Sequence, residues 1–265
     1  MPALAGQLRR CWTHYREGML ADLARALRLA HEFYREELPT MEATDAANAT
    51  VELAMLDVIV GMVTAETAKD LLLAGRALAD MVTDPTANCD DLHRLAALTT
   101  SVHAGLRAGR FGAAELHFKS TLAVAQGMIA DNSCMDDVCT LLGCAGLHLA
   151  QAAALGRDER TTRALLEQSD DAAANLGMER EVLCHYFGPE HARATRAICL
   201  SILGQVDESI EVGKAVNMDR LMPLMAATLL RTLAESSERA EHRASAVALR
   251  ARADNLVPPL RQQFD

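Results

Sequence analysis

The heptapeptide His185-Tyr186-Phe187-Gly188-Pro189-Glu190-His191 places two imidazoles, a phenol and a carboxylate around a Gly-Pro step that must break any helix preceding it. With Pro189 at the first helical position, Glu190 and His191 fall in the first turn. There an imidazole and an acid can bind an anion, exchange protons, or hold a ligand carboxylate or carbonyl. If the site were catalytic, Glu190 and His191 would be the acid-base pair and Tyr186 a hydrogen-bond donor. A structural role accounts for the same residues: Pro189 and Glu190 suit a helix start and its dipole, and the Phe187 ring belongs in a core.

Cys134, Cys139, Cys144 and His148 suggest a metal, but positions five apart on a helix are turned roughly 140° from one another. Only Cys144 and His148, at i,i+4, share a face, so no metal is assigned and the thiols read as small buried apolar groups. His103 and His117 flank a turn at Gly109, and with His148 they are candidates for an inner surface. The candidate ligand-contacting set is therefore His103, His148, His185, Tyr186, Phe187, Glu190 and His191. Met55, Met62, Met81, Met128, Met218, Met222 and Met225 fall at helical core spacing, where an adaptable apolar lining and simple gap-filling are both consistent with the pattern. Asp136-Asp137 and Asp170-Asp171 read as solvated faces. No phosphate loop, HExxH, G-x-S-x-G or CxxC motif occurs, and no cofactor is implied.

The elements that must carry these residues are helices. Half of the 265 residues are hydrophobic while aromatics make up only 3%, and runs of β-branched residues are scarce. Ala and Leu dominate, so the expected fold is all-α. The formal charge of −10 disfavours direct contact with nucleic acid. Seven cysteines without an export signal point to reduced thiols and a cytoplasmic setting. No stretch of about eighteen residues free of charged or strongly polar breaks is expected to span a membrane.

Breaks and apolar stripes divide the chain into helix hairpins at about 4–38, 44–82, 90–130, 135–176, 189–217 and 218–256, taken as one domain over 1–265. Thr44 or Asp45 is the expected cap of the third helix, Ala65-Glu66 the start of the fourth, Asp131-Asn132-Ser133 a separator and Pro258-Pro259 the final stop. The turns fall at Gly18, Thr64, Gly109, Gly156, Gly204 and near Ser237, a spacing of roughly 45 to 48 residues until the last step, which is a repeat-array signature. One hairpin cannot bury its own apolar face; stacked hairpins can, as an α-solenoid winding into a right-handed superhelix with a concave face. In GRFGAAELHF, GRDERTTRALL and GQVDESIEVG a glycine ends one helix where positive φ is needed, and a small residue follows that admits a close second helix.

These hinges resemble the tetratricopeptide repeat. Together with LRRCWTHYREGMLADLARAL, LLGCAGLHLAQAAALGRD and the Tyr186-Phe187-Gly188-Pro189 break, nearly the whole chain resembles the tetratricopeptide-type C-terminal region of actinobacterial XRE-like helix-turn-helix transcriptional regulators. That resemblance implies a ligand-sensing or protein-docking module acting on a protein partner, such as a DNA-binding regulator. Two features depart from it. Glu190-His191 stand where Thr-Asn commonly follows Phe-Gly-Pro, and Met1 lies only a few residues before the first repeat helix, where the family carries its DNA-binding module. The chain is thus either a sensor region or a stand-alone relative. Three functions stay open: a non-enzymatic sensor of a small metabolite or short peptide, an enzyme or biosynthetic accessory using the same hollow, and a scaffold that dimerises through its terminal hairpins.

Overall fold

A computed structural model describes residues 2–64, 67–130 and 134–257. Among them the chain is all-helical apart from one short hairpin of strands. The helices are α1 (Pro2–Arg16), α2 (Leu20–Glu37), α3 (Ala43–Val63), α4 (Ala68–Thr83), α5 (Asp91–Arg107), α6 (Phe111–Ala130), α7 (Met135–Leu155) and α8 (Glu159–Leu176). The antiparallel pair β1 (Arg180–Val182) and β2 (His185–Phe187) follows, then α9 (Pro189–Leu203), α10 (Val206–Lys214), α11 (Pro223–Arg239) and α12 (Arg243–Leu256). The expected features at Ala65-Glu66, Asp131-Asn132-Ser133 and Pro258-Pro259 lie outside the described residues.

Local chemistry sets most of the boundaries. Thr67, Asp90 and Asp158 each accept a hydrogen bond from the backbone N–H three residues on and so begin α4, α5 and α8. Pro189 and Pro223 open α9 and α11, where a missing N–H costs nothing. Gly18, Gly109, Gly177 and Gly204 take left-handed φ at helix ends. Three expectations are corrected. Glu42, without a side-chain bond, precedes α3 in place of a Thr44 or Asp45 cap. At the fourth hinge the left-handed residue is Arg157, at φ 62°, and not Gly156. The last turn falls at 240–242 with Glu241 left-handed, because α11 continues through Ser237 to Arg239.

Helices packed on one another run in a row. The odd-numbered helices touch in succession, α1 on α3, α3 on α5, and so on to α11, and each even-numbered helix up to α10 packs against the odd one that follows it. Small residues make this closeness feasible: a Cβ on Gly105 would come within 2.8 Å of the Ala114 backbone N, so α5 and α6 touch almost backbone to backbone. The row also returns to its start. A Cβ on Gly18 would lie 2.6 Å from Val257, and Arg16 pairs with Glu181 at 2.9 Å, so the first hairpin meets both the end of α12 and the strand pair.

α3 and α7 are each long and apolar enough by length and composition to cross a membrane, which amends the expectation that no such stretch exists. Their apolar surface is used within the protein, most fully in α7, where 72% of the apolar window is buried. Gly143, on α7, faces the Phe187 ring so closely that any side chain there would overlap it. Gly143→Ala is expected to cost about 1–3 kcal/mol through overpacking. Gly127→Ala, on an exposed face of α6 with nothing within 4 Å, is expected to gain up to about 1 kcal/mol from helix propensity. Urea unfolding midpoints of the two variants should therefore move in opposite directions.

Candidate functional site

The strand pair builds the site, and it was not legible as strand. Val182 pairs with His185 across a two-residue turn in which Leu183 and Cys184 take φ of 43° and 66°. Left-handed backbone costs a non-glycine residue roughly 1–2 kcal/mol. Burial of Val182, Cys184 and Phe187 opposes that cost. Arg180 anchors the first strand by bonding Asp136 at 2.6 Å and Asp137 at 3.0 Å, so this acidic pair is a clamp and not merely a solvated face. Phe187 is completely buried against α7. At Gly188 the constraint is space: a Cβ would lie 2.6 Å from the Glu179 Cα and 2.7 Å from the Met178 carbonyl oxygen. Phe-Gly-Pro is thus an anchor, a gap and a helix start.

The same anchor separates the proposed acid from the proposed base. Glu190 accepts from the Asn217 N–H at 2.9 Å and from Arg193 at 2.7 Å, tying α9 to the segment before α11, and it does not line the cavity described below. Burial pushes its carboxyl upward, but the Asn217 and Arg193 donors prevail and hold it low. Glu179 takes the helix-start role by accepting from the Glu190 N–H at 2.5 Å. Glu190 and Phe187 thus make structural contacts and are not among the residues lining that cavity. His117, on α6, is buried away from the cavity, and its pKa is lowered by that burial.

Five of the expected residues do converge. His185 is buried, and its Nε2 lies 2.9 Å from the Ala96 carbonyl and 3.1 Å from Thr100 Oγ1. A carbonyl only accepts, so the proton is on Nε2 and Nδ1 is an acceptor. That Nδ1 faces the Cys144 sulfur at 3.9 Å, and the sulfur lies 3.4 Å from His148 Nε2. His148 stacks on His103 with centroids 4.1 Å apart and planes 5° from parallel. His191 completes the group with its ring 5.9 Å from that of Tyr186, whose hydroxyl donates to the Arg220 carbonyl at 3.1 Å.

Hydrogen-bond accounting leaves the cluster incomplete. One thiol proton serves two imidazoles. If Cys144 donates to His148, the His148 proton sits on a buried Nδ1; if it donates to His185, that Nδ1 is a buried acceptor. In both cases His148 Nδ1 has no partner, and neither does His191 Nδ1. Unmet buried polar groups cost about 1–3 kcal/mol each.

Burial also fixes charge. Desolvation lowers His185 and His191 to about 4 and His103 to about 3, where Arg107 adds repulsion, and it takes His148 well down. The Cys144 thiol is pushed up to about 12 by burial. At neutral pH the cluster is an uncharged set of donors and acceptors. No group of three or more His, Cys, Asp or Glu side chains among the described residues is arranged to hold a metal. Cys134 is exposed and Cys139 half-buried, apart from buried Cys144.

These imidazoles face a hollow. A chamber of about 50 Å³ bounded by Thr100, Cys144, His185 and Tyr186 shares Tyr15, Ile59, His103, His148, His191 and Met222 with a cavity of about 480 Å³. The larger wall is one face of each successive odd-numbered helix, such as His103 and Arg107 of α5, His148 and Gln151 of α7, and Ile198 and Ile202 of α9, closed by Tyr15 and Val257 from the two ends of the chain. A groove of about 510 Å³ between α8, α9 and α10 is as large, but its arginines are already paired, Arg196 with Asp170 at 2.5 Å and Arg193 with Glu190 at 2.7 Å.

Sequence reasoning missed Tyr15, Arg107, Gln151 and Arg231 in this wall. The available signal was helical spacing: Arg107 follows His103, and Gln151 follows His148, by one turn on the same face. Comparison with protein-family models, with curated proteins and with solved structures finds no match.

The depressed imidazoles set a pH dependence. A base whose folded pKa lies below its unfolded value of 6.5 takes up protons on unfolding, so its contribution is intact above pH 6.5 and is lost as pH falls toward 4. Thermal midpoints are expected to fall between pH 6.5 and 5, above the range of ordinary carboxylates, and His191→Gln should flatten that limb. An equally steep limb in the variant would contradict the assignment. His93 works in the opposite sense. Burial lowers it, but Asp90 and Glu52 raise it to about 9, so its contribution is present below pH 6.5 and lost as pH rises through 9.

Proposed function

We propose that this chain is a non-enzymatic ligand-binding module in which the closed row of hairpins surrounds a small molecule. The observation that carries this reading is the cavity of about 480 Å³, apolar over most of its wall, with His103, His148, His191 and Gln151 as its placed polar groups. Its volume lies within the range typical of small-molecule sites and its lining has their usual character, mostly apolar with a few placed polar groups. A hollow of this size suits a compact metabolite better than an extended peptide.

The row of helices, their glycine hinges and the cavity face on the odd-numbered members support a tetratricopeptide-like solenoid of six hairpins, and with it kinship to the sensor region of XRE-type regulators. In this reading the output passes to a protein partner such as a DNA-binding regulator, since a charge of −10 is ill suited to holding nucleic acid directly. Tyr15 from the first hairpin and Met222, Met225 and Val257 from the last line the same cavity, so a ligand there would touch both. Occupancy therefore favours the closed arrangement by its differential affinity for it. Glu190, held by Arg193 and Asn217, is not placed to exchange protons with His191, which disfavours the acid-base enzyme.

Native mass spectrometry of the protein purified from its own host is expected to show a co-purified small molecule, released on denaturation. Adding it back at a hundred times its Kd should stabilise the emptied protein by about 2.7 kcal/mol without turnover. Loss of the molecule's mass into a product would establish an enzyme instead.

A further inference from the structure

The cavity's charge distribution deepens that reading by one step. In a chain of formal charge −10, the wall of the larger cavity contains, among the described residues, two arginines and no carboxylate. Arg231 is already engaged, bonding Asp254 at 3.1 Å and the Val257 carbonyl at 2.6 Å. Arg107 is not: among the described residues it donates only to the Met62 carbonyl, at 3.4 Å. It is exposed, on the last turn of α5, one turn or about 6 Å along the helix axis from His103. The cavity therefore has two ends, a buried floor of neutral imidazoles and a mouth with an uncommitted guanidinium. Ile59, Met62, Leu106, Ile198, Met222 and Met225 supply apolar wall to the same cavity.

We infer that the ligand is a singly anionic amphipath: a carboxylate that pairs with Arg107 at the mouth, an apolar body, and a hydroxyl or carbonyl group at its far end. Guanidinium and carboxylate match as a planar, two-bond pair. The far-end group meets the polar part of the wall, which His103, His148, His191 and the Gln151 amide line. A cationic head is disfavoured because the wall offers it no carboxylate. A second charge on the floor is disfavoured because His103, His148, His185 and His191 are all held neutral by burial, as is the Tyr15 phenol.

This inference rests on the cavity being the binding site, and its test separates the two ideas. Binding of decanoate, 10-hydroxydecanoate, methyl decanoate and decylamine is measured by calorimetry and thermal shift on wild-type protein, on Arg107→Gln and on Arg160→Gln, a control on the outer helix α8. The acids are expected to bind at least tenfold more tightly than the ester and the amine, and the hydroxy acid more tightly than decanoate. Arg107→Gln should cut acid affinity at least tenfold and leave ester affinity and the ligand-free melting point unchanged; Arg160→Gln should change nothing. Ester or amine binding equal to that of the acids, an Arg107→Gln variant that binds acids normally, or no binding by any of the four would overturn the anionic class. The binding role of the cavity would survive that result if the molecule co-purified from the host proved neutral or cationic.

Discussion

The contact between the Phe187 ring and the bare backbone at Gly143 is the constraint on which the rest of the site depends. A large side chain fits flush against α7 only where α7 lacks one. That fit fixes the strand pair, and the strand pair fixes His185 on one side and the start of α9 on the other. Gly188 then brings the chain within van der Waals range of Glu179, and the Glu179 carboxylate, now beside the new helix, accepts its first free N–H. His191 is carried into the cavity as a consequence, while Glu190, one residue earlier, is turned toward Arg193 and Asn217.

Electrostatics and closure follow from the same packing. Bringing α5, α7, α9 and β2 together strips water from four imidazoles, and among the described residues none of the four rings bonds a carboxylate, so the neutral forms prevail. His93 shows the alternative within the same protein: held between Asp90 at 2.8 Å and Glu52 at 3.2 Å, it keeps its proton. Charge in this molecule is concentrated where it ties segments together, as in Arg180 with Asp136 and Asp137 or Arg16 with Glu181, and among the described residues it reaches the cavity wall only at Arg107 and at Arg231, which is itself tied to Asp254.

The helical architecture was legible because its signals are local. Ala-Leu periodicity, Asp90 and Asp158 before helices, and Gly109, Gly177 and Gly204 after them act within one turn of chain. The strand pair was not, because three-residue strands are too short to show alternation and their turn, Leu183-Cys184, carries none of the Gly or Asn that marks such turns. Arg157 and Glu241 in left-handed conformation were hidden for the same reason. His103, His148, His185 and His191 were recognisable as candidates by type, whereas their convergence depends on contacts across about ninety residues, such as His185 with Ala96. Glu190 and His191 face different ways because adjacency in sequence does not survive the first turn of a helix, where neighbours diverge by roughly 100°.

The central claim is that the imidazoles line a dehydrated hollow, and nitrogen-15 NMR of the histidine side chains tests it most directly. At pH 7, His103, His148, His185 and His191 should all be neutral, with His185 protonated on Nε2, and none should titrate between pH 8 and 5.5. A midpoint near 6.5 for any of the four, or an Nδ1–H tautomer for His185, would contradict the account by showing that bulk water reaches the floor of the cavity or that the bond to Ala96 is not formed.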